Sequence, residues 1–358
     1  MPPRPLARPA RILLCSWAFA PSIGGIETSS LFLAEQMHRH GIHVEVVTQT
    51  AADSDSPSFP WPVHRRPSRG QLLHLVRSCD LVYQNNISLH SLWPLLLAPK
   101  PLILSSHTPI DSTIERSGLK RWLKFAAMCR ATCISCSHFL AQSFPVPSLV
   151  IHNPYRSHIF GPVEDQSART RSLIFVGRLV QAKGLDILFA ALDALRKQTI
   201  TPSLTIVGSG GEQEKLKALA ERLKLTSHIT FLGSQPPAQL AELLRQHQIL
   251  VVPSRRQPAE AFGIVALEGI ACGTIPVVAA QGGLPEAIGP CGLTFETENP
   301  LALADTLQRI LADPALQSDL RSRAAAHLAQ FEEPVIFRQH LEVIQRALPR
   351  FDLLSARQ

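Results

Sequence analysis

The sequence predicts two α/β domains, each built on a doubly wound parallel sheet. Short apolar runs alternate with helix-length amphipathic stretches in the first half of the chain, and the same alternation is repeated in the second half. This alternation is typical of parallel sheets that carry helices on both faces. A length of 358 residues is long for one domain and enough for two, each with its own core.

Twelve strands are predicted, six in each half. The first six are Arg11–Trp17, His43–Thr50, Leu81–Asn86, Pro101–Thr108, Ala131–Ser137 and Ser148–Ile151, with a helix at Glu27–Arg39. The second six are Ser172–Arg178, Ser203–Gly208, Ile229–Gly233, Ile249–Ser254, Ile275–Ala280 and Leu293–Glu296. The polar, unpatterned segment Tyr155–Arg171 separates the two sets, so we expect the domain boundary there.

The net charge of +7 comes entirely from the first half of the chain. Residues 1–160 carry 15 Lys and Arg against 8 Asp and Glu, whereas residues 161–358 carry 20 of each. A one-sided basic domain favours an acidic partner, such as an anionic acceptor, a lipid headgroup surface or nucleic acid. The 7 scattered cysteines favour a reducing compartment. Since no signal peptide or membrane-spanning run is found, we expect a cytoplasmic protein.

One stretch, residues 253–286, concentrates the glycines and carboxylates of the second half. Within it, Phe262–Cys272 predicts a short helix that ends at Gly273. Glu260 lies just before this helix and Glu268 about two turns into it, which puts them roughly 10 Å apart. That separation is too large for a catalytic dyad, but it suits two ends of an elongated polar ligand. A loop glutamate and an ordinary helix glutamate fit the same spacing, so the spacing alone does not identify a site.

The segment EAFGIVALEGIACGTIPVVAAQGGLPE resembles the signature of the retaining, nucleotide-sugar-dependent glycosyltransferases of family 4. The resemblance extends over nearly the whole chain. It implies the GT-B fold, in which two Rossmann-like domains face each other across a cleft. Residues 1–160 would then form the acceptor-side domain and residues 161–333 the nucleotide-sugar-binding domain. Residues 334–358, which begin with an amphipathic stretch, would cross back to the first domain as the final helix of the family does.

Two cations follow the first strand of the second domain. Arg178 ends the strand, and Lys183 precedes the next helix, in a pattern G-R-L followed by K-G that is the diphosphate-binding signature of the family. Such a pair can hold a diphosphate and stabilise its charge as it leaves. Without the resemblance, two surface cations would fit equally well.

The resemblance also assigns the donor-binding residues. It places Glu260 at the donor sugar and Glu268 at the ribose hydroxyls, from which a carboxylate accepts hydrogen bonds. Backbone groups would contact the sugar hydroxyls and phosphate at Phe262, Gly263 and Ile264, and the nucleotide base would lie against Gly208, Gly233 and Ser234. The dinucleotide fingerprint fails, because Gln213 stands where its third glycine should be, which counts against an NAD-dependent oxidoreductase.

In the first domain, two positions match the family. Gly24 and Gly25 precede a predicted helix, where backbone can approach a ligand closely. In the family this loop lines the cleft near the donor diphosphate and the acceptor. Without the resemblance, the glycine pair indicates only a turn. His107 lies at the carboxyl end of a strand and matches the histidine beside the transferred sugar. The next residue is Thr108, where family members often carry an acidic residue. The contact that this neighbouring position makes is therefore not assigned.

No metal site is predicted. Asp53-Ser54-Asp55 spells D-x-D, the metal motif of the other glycosyltransferase fold, but Ser and Pro surround it and we interpret it as a solvated loop. Cys129, Cys133 and Cys136 have no standard zinc spacing, and we interpret them as small buried side chains. We therefore expect a metal-independent enzyme without a cofactor.

The segment Arg116–Arg130 is basic and amphipathic. Its Lys and Arg residues alternate with Leu, Trp, Phe and Met, a pattern that suits the surface of an anionic membrane. A helix with its apolar face on the core and cations outside fits the pattern equally well. Peripheral association with the inner face of the membrane therefore stays an open expectation.

Together these residues predict a retaining, hexosyltransferase-type glycosyltransferase that makes a glycan, polysaccharide or glycolipid. The donor is a nucleotide-diphosphate sugar, the acceptor is a sugar or a lipid-linked molecule, and no nucleic acid is expected. Two alternatives share the fold: a non-catalytic nucleotide-sugar-binding module and a nucleotide-sugar epimerase. The intact set of His107, Arg178, Lys183, Glu260 and Glu268 argues against a decayed module.

Overall fold

The computed structural model describes residues 8–22, 24–52, 57–109, 118–162, 169 and 171–353. The chain divides into two compact units. Unit 1 comprises residues 1–153 and 334–358, and unit 2 comprises residues 154–333. The division after Asn153 falls just before the polar segment in which the sequence predicts the boundary.

Unit 1 is built on a parallel sheet. Its described strands are β1 (Arg11–Ser16), β2 (His43–Thr48), β3 (Val63–Arg65), β4 (Leu81–Asn85), β5 (Leu102–Ser106), β6 (Thr132–Ser135) and β7 (Leu149–Val150). Their order across the sheet is β3-β2-β1-β4-β5-β6-β7, and each neighbouring pair is parallel. The central strand β1 is apolar and almost wholly buried, as a parallel strand covered on both faces should be.

Helices cover both faces of this sheet. They are α1 (Gly25–Arg39), α2 (Arg69–Ser78), α3 (Leu89–Leu92), α4 (Gly118–Arg130) and α5 (His138–Ser143). Phe32, Leu33 and Met37 of α1 belong to one hydrophobic cluster. Leu72 and Val76 of α2 belong to a second cluster on the opposite face. The two clusters hold the strands so that their carboxyl ends, where ligands bind in such sheets, share one edge.

Unit 2 repeats the architecture. Its strands are β8 (Arg171–Val176), β9 (Leu204–Val207), β10 (Ile229–Gly233), β11 (His247–Val252), β12 (Ile275–Ala279) and β13 (Leu293–Phe295), in the order β10-β9-β8-β11-β12-β13. All their pairings are parallel. Its helices are α6 (Leu185–Lys197), α7 (Gln213–Arg222), α8 (Pro237–Gln246), α9 (Ile264–Ala271), α10 (Leu284–Ile288), α11 (Pro300–Ala312), α12 (Pro314–Ser322) and α13 (Ala324–Leu328).

The last helix, α14 (Glu333–Ala347), returns to unit 1. Its residues Ile336, Phe337 and Ile344 belong to the same hydrophobic cluster as Phe32 and Leu33 of α1. The rings of Phe32 and Phe337 meet edge to face with centroids 6.3 Å apart. The helix therefore completes the core on one face of the first sheet. Across the described part of the chain, no helix has both the length and the apolar character needed to cross a membrane.

Candidate active site

The central polar cluster of unit 2 joins Lys183 to Glu260. Lys183 ends a 3-10 turn after β8, and Glu260 lies in the loop between β11 and α9. The ammonium Nζ of Lys183 donates to Oε2 of Glu260 at 2.6 Å, and the hydroxyl of Ser254 donates to the same oxygen at 3.1 Å. Both charged side chains are about one quarter exposed. The cluster therefore presents a paired carboxylate and ammonium at a surface that water and a ligand can reach.

A glycine turn after β12 holds the Glu260 loop in place. The backbone N–H of Glu260 donates to the Gln281 side chain at 3.2 Å, and the N–H of Gly283 donates to the Glu260 carbonyl at 2.9 Å. Gly282 has φ +60°, and a Cβ on it would lie 2.1 Å from the Glu260 carbonyl oxygen. No other residue fits so close to that carbonyl, so this turn fixes the direction of the Glu260 backbone.

The helix after Glu260 begins later than the sequence predicts. The predicted helix spans Phe262–Cys272, whereas α9 spans Ile264–Ala271. Gly263 precedes the helix in the left-handed region with φ +99°, which ends the regular turn there. Phe262 is buried and packs on Phe331 with ring centroids 5.7 Å apart. Residues 262–264 therefore present backbone groups at the start of the helix, while the Phe262 ring serves the core.

Glu268 forms a separate contact in unit 2. It is buried in α9, and Nη2 of Arg156 donates to its Oε1 at 3.3 Å. Burial raises the pKa of the Glu268 carboxyl to about 7, and the Arg156 guanidinium opposes this rise. Arg156 was not predicted as a site residue, since it lies in the unpatterned boundary segment and 112 residues from its partner. A single cation in a polar segment gives no signal that would identify such a pair.

The ends of β8, β9 and β10 approach each other through glycines. The N–H of Gly208 donates to the carbonyl of Gly233 at 2.8 Å, and the hydroxyls of Ser209 and Ser234 are 2.9 Å apart. Gly208 has φ +136°, and a Cβ on it would lie 1.9 Å from the carbonyl oxygen of Gly177. This close approach leaves a flat edge of backbone groups and two hydroxyls, which suits a planar polar ligand.

Arg178 lies beside this edge. It is exposed and makes no side-chain hydrogen bond or ion pair with a residue that the structure describes, whereas Lys183 is paired with Glu260. Arg178 and Lys183 both follow β8, which ends at Val176 and not at Arg178 as the sequence predicts, and only Lys183 has a described ion-pair partner. Arg178 keeps its guanidinium at the surface, and the Lys183 ammonium has N–H groups beyond the one that donates to Glu260.

In unit 1, His107 follows β5 and its ring is held by hydroxyls. Its Nε2 lies 3.2 Å from the hydroxyl of Ser105 and 3.3 Å from that of Ser29. Its backbone N–H donates to the Asn86 side chain at 2.7 Å. Burial lowers the pKa of the imidazole to about 4, and Asn153 opposes this fall. The ring is therefore neutral near pH 7, and it acts there through hydrogen bonds rather than as a cation.

The glycine pair of unit 1 takes two different roles. Gly25 is the first residue of α1. Gly24, just before it, has φ 176°, which is extended backbone that any residue adopts. A Cβ on Gly24 would come within 2.5 Å of the Glu27 carboxylate, the end of a flexible side chain. The carboxylate of Glu27 thus lies over the start of the helix, where negative charge is stabilised.

Asp53 and Asp55, the residues of the D-x-D sequence, lie outside the described residues. Arg116 of the basic segment lies outside them as well, while α4 covers residues 118–130 of that segment.

Two family models match the chain. "Glycosyltransferase Family 4" matches residues 23–155, and "Glycosyl transferases group 1" matches residues 163–327. Together they account for more than three quarters of the sequence. The first model covers His107 and the glycine pair, and the second covers Lys183, Glu260 and Glu268, while Arg156 lies between the two matches.

Curated relatives match part of the chain. A D-inositol 3-phosphate glycosyltransferase from Corynebacterium jeikeium is 37% identical over 172 residues, covering 46% of this chain and 40% of the relative. One from Acidothermus cellulolyticus is 39% identical over 193 residues, covering 48% of this chain and 42% of the relative. The chain thus spans less than half the length of these relatives.

Solved structures share the fold over nearly the whole chain. A sucrose-phosphate synthase from Thermosynechococcus elongatus has a TM-score of 0.79 at 23% identity, covering 95% of this chain and 99% of the other. HepE from Anabaena, solved in complex with UDP and glucose, has a TM-score of 0.77 at 21% identity, covering 94% of this chain and 100% of the other. The expected fold, GT-B with two Rossmann-like domains, is confirmed.

Proposed function

We propose that this chain, which belongs to glycosyltransferase family 4, transfers a sugar from a nucleotide-diphosphate sugar to an acceptor hydroxyl with retention of anomeric configuration. The observation that carries the proposal is the contact of Lys183 with Glu260, together with an exposed Arg178 after the same strand that pairs with no residue in the described ranges. These groups offer a carboxylate for sugar hydroxyls and two cations for a diphosphate, within one unit. The binding of UDP and glucose by the Anabaena relative of the same fold supports a nucleotide-sugar donor.

Donor binding is divided among three places in unit 2. The carboxylate of Glu268 accepts hydrogen bonds from the ribose hydroxyls. The base lies against the backbone edge at Gly208, Gly233 and Ser234, where glycine leaves room for a flat ring. The backbone N–H groups at residues 262–264 contact the sugar and phosphate oxygens, as the unpaired groups of a helix start can.

Catalysis depends on the charge that grows on the leaving diphosphate. Arg178 binds the diphosphate directly, and Lys183 bridges it to Glu260. As the bond from the sugar to the phosphate breaks, both cations stabilise the departing oxygens more strongly than they stabilise the intact donor. Glu260 holds hydroxyls of the donor sugar and does not form a covalent bond to it. The acceptor oxygen attacks from the face that the diphosphate leaves, and a phosphate oxygen takes the acceptor proton.

Unit 1 binds the acceptor. A cavity of about 350 Å³ lies there between the starts of α2 and α3, lined by Pro67, Arg69, Leu72, His90 and Trp93. Trp17, after β1, is 58% exposed and its ring meets His90 edge to face at 6.1 Å. An exposed indole next to His90 of this cavity suits a sugar ring, and Arg69 in the lining suits an anionic group on it. His107 orients a hydroxyl of the donor sugar from the same sheet edge.

A second role, peripheral membrane binding, is favoured by α4. Leu119, Trp122 and Phe125 are 69%, 63% and 43% exposed, and Lys120 and Arg121 lie between them on the same helix. These three side chains therefore lie outside the core, whereas Met128 of the same helix is buried, so α4 packs on unit 1 with one face and exposes apolar rings on another. Exposed indole and phenyl rings among cations suit the headgroup region of an anionic bilayer. We propose a cytoplasmic enzyme that reaches a lipid-linked acceptor in this way.

A panel of nucleotide sugars tests the donor assignment. Each is screened for protection of the chain against thermal unfolding, since a ligand at about 100 times its Kd adds about 2.7 kcal/mol of stability. The protecting donor is then incubated with candidate sugar and lipid-linked acceptors, and the products are separated. Glu260→Gln should bind the donor and transfer slowly, while the exposed surface change Glu242→Gln should behave as wild type.

The outcome distinguishes three functions that this fold can serve: sugar transfer, epimerisation and nucleotide-sugar binding without catalysis. Transfer to an acceptor supports the proposal. A nucleotide sugar that protects the chain and is released as its isomer, with no acceptor, would identify an epimerase. Donor binding with neither reaction across the acceptor panel would identify a binding module and refute the enzyme.

A further inference from the structure

Arg255 follows β11, and its side chain reaches back to the 3-10 turn Gln181–Lys183. Its backbone N–H donates to the carbonyl of Ala182 at 2.8 Å, and its Nε donates to the carbonyl of Gln181 at 3.2 Å. Both acceptors belong to the turn that ends at Lys183. The main chain and the side chain of one residue therefore hold the backbone just before Lys183.

The guanidinium of Arg255 also meets carboxylates of two other segments. Its Nη2 donates to Asp186 in the first turn of α6, and its Nη1 donates to Oε1 of Glu298, after β13, at 3.3 Å. The Arg255 side chain is 24% exposed, so it lies largely inside the ring of its partners. The rigid fork of a guanidinium fits acceptors that lie in different directions, whereas an ammonium is a single point charge. Arg255 thus joins the turn, α6 and the segment after β13.

The residue after Lys183 is fixed by the same segment of the chain. Gly184 has φ +67°, and a Cβ on it would lie 2.0 Å from the carbonyl oxygen of Pro253. Only glycine fits so close to that carbonyl. Pro253 and Arg255 therefore fix the backbone on the two sides of Lys183.

The residue between them holds the carboxylate that Lys183 meets. Ser254 is buried, and its hydroxyl donates to Oε2 of Glu260 at 3.1 Å, the oxygen to which the Lys183 ammonium donates at 2.6 Å. Lysine has a flexible four-carbon stem. Its ammonium therefore keeps one place only where both its backbone and its acceptor are held, and residues 253–255 hold both.

We propose that Arg255 is a positioning residue that holds the turn Gln181–Lys183 in place, so that the ammonium at the end of this turn stays beside the diphosphate as it leaves. The inference rests on the proposed role of Lys183 in stabilising that diphosphate. Arg255 acts through Lys183, because its own guanidinium is directed at Asp186 and Glu298.

Two substitutions of Arg255 test this role. Arg255→Met keeps a long side chain and removes the donors of the guanidinium. Arg255→Lys keeps a charge for Asp186 but cannot also donate to Gln181. Arg196→Met is the matched control, because Arg196 pairs with Asp193 at 2.7 Å near the other end of α6. Both changes remove an arginine–aspartate pair from the same helix, and only one of them releases the turn.

The first readout is the single-turnover rate of transfer in a double-mutant cycle with Lys183→Ala. We expect Arg255→Met to lower the rate by about 10-fold in the wild-type chain, with donor Kd little changed, since a misplaced catalytic group slows the reaction. In the Lys183→Ala chain it should lower the rate by less than about 2-fold, because the group that it positions is already absent. Arg255→Lys should give an intermediate rate, and Arg196→Met the wild-type rate.

The second readout does not depend on transfer. Lysine side chains are acylated with an N-hydroxysuccinimide ester and followed by peptide mass spectrometry, and the rate at Lys183 is divided by the rate at Lys224, an exposed lysine of the same unit. We expect this ratio to rise by about 3-fold or more in Glu260→Gln and in Arg255→Met, because the charge-assisted bond to the carboxylate no longer holds the nitrogen. Arg196→Met should leave the ratio unchanged.

Equal rate factors from Arg255→Met in the two backgrounds of the cycle would overturn the proposal. An unchanged acylation ratio would overturn it as well, and so would a lower thermal midpoint with neither effect. If Arg255→Met does not fold, Arg255→Lys decides the matter by the same two readouts. A wild-type chain that transfers no sugar would refute the proposed function, whereas the acylation ratios would still decide whether Arg255 holds Lys183 in place.

Discussion

Replacing Glu268 with glutamine should flatten the pH dependence of unit 2 stability. The carboxyl has a pKa of about 7 in the folded chain against an ordinary value of 4.5, because burial disfavours its charge. A carboxyl whose pKa is higher in the folded state stabilises the fold while it is protonated. That stabilisation is complete below pH 4.5 and is lost as the pH rises through 7. Between pH 5 and pH 8 the loss amounts to roughly 2–3 kcal/mol.

Hydrogen exchange is the suitable assay for this effect. The four tryptophans, at positions 17, 61, 93 and 122, all lie in unit 1, so their fluorescence does not report on unit 2. Exchange of the backbone amides in α9 reports the opening of unit 2 itself. The wild type should lose roughly 2–3 kcal/mol more protection than Glu268→Gln between pH 5 and pH 8. The exposed control Glu242→Gln should follow the wild type.

The same substitution should weaken nucleotide binding. A glutamine oxygen accepts a hydrogen bond without charge, and charge-assisted bonds are worth about 1.5–3 kcal/mol each. At pH 8 we expect Glu268→Gln to lower the affinity for the nucleoside diphosphate and the affinity for the free nucleoside by the same factor, about 10-fold or more. Equal pH profiles of exchange in wild type and Glu268→Gln, with unchanged nucleoside affinity, would refute this account of Glu268.

Three further predictions concern other parts of the chain. Lys183→Ala should lower kcat by about 100-fold in single-turnover kinetics while donor Kd changes much less, and an equal loss in both would contradict a role that grows during bond breaking. Trp122→Ala should reduce sedimentation of the protein with anionic vesicles at low salt. The control Leu301→Ala, which changes an exposed leucine of unit 2, should not reduce it. Equal binding of the wild type to neutral vesicles, or no binding at all, would count against a membrane role. Burial lowers the pKa of His247 to about 4, against an ordinary value of 6.5. The neutral ring therefore stabilises the fold above pH 6.5, and this stabilisation is lost as the pH falls towards 4. Between pH 7 and pH 4.5 the thermal midpoint should fall less in His247→Gln than in the wild type.

The regular elements were predictable because long apolar runs define buried parallel strands. The sequence missed β3, since its three residues Val63–Arg65 include a histidine and an arginine and form no apolar run. It placed the start of α9 two residues early, because Gly263 takes a left-handed conformation that composition does not reveal.

The sequence allowed candidate site residues to be named, but not the contacts that they make with each other. Lys183 and Glu260 were named from separate motifs, and nothing in the sequence joins side chains that are 77 residues apart. Arg255 and Asp186, 69 residues apart, were predicted neither by spacing nor by the resemblance. Contacts of this kind depend on the register of strands and on where a helix packs, and both are set by the whole core.

The anomeric configuration of the product tests the central proposal most directly. The reaction is run after exhaustive chelation, with the nucleotide sugar that protects best in the panel, and the new linkage is examined by NMR. We expect transfer to proceed and the linkage to keep the configuration of the donor, because Arg178 and Lys183 stabilise the leaving diphosphate and the acceptor attacks from its side. An inverted linkage would contradict the mechanism, and activity restored only by a divalent metal would return Asp53 and Asp55 to consideration.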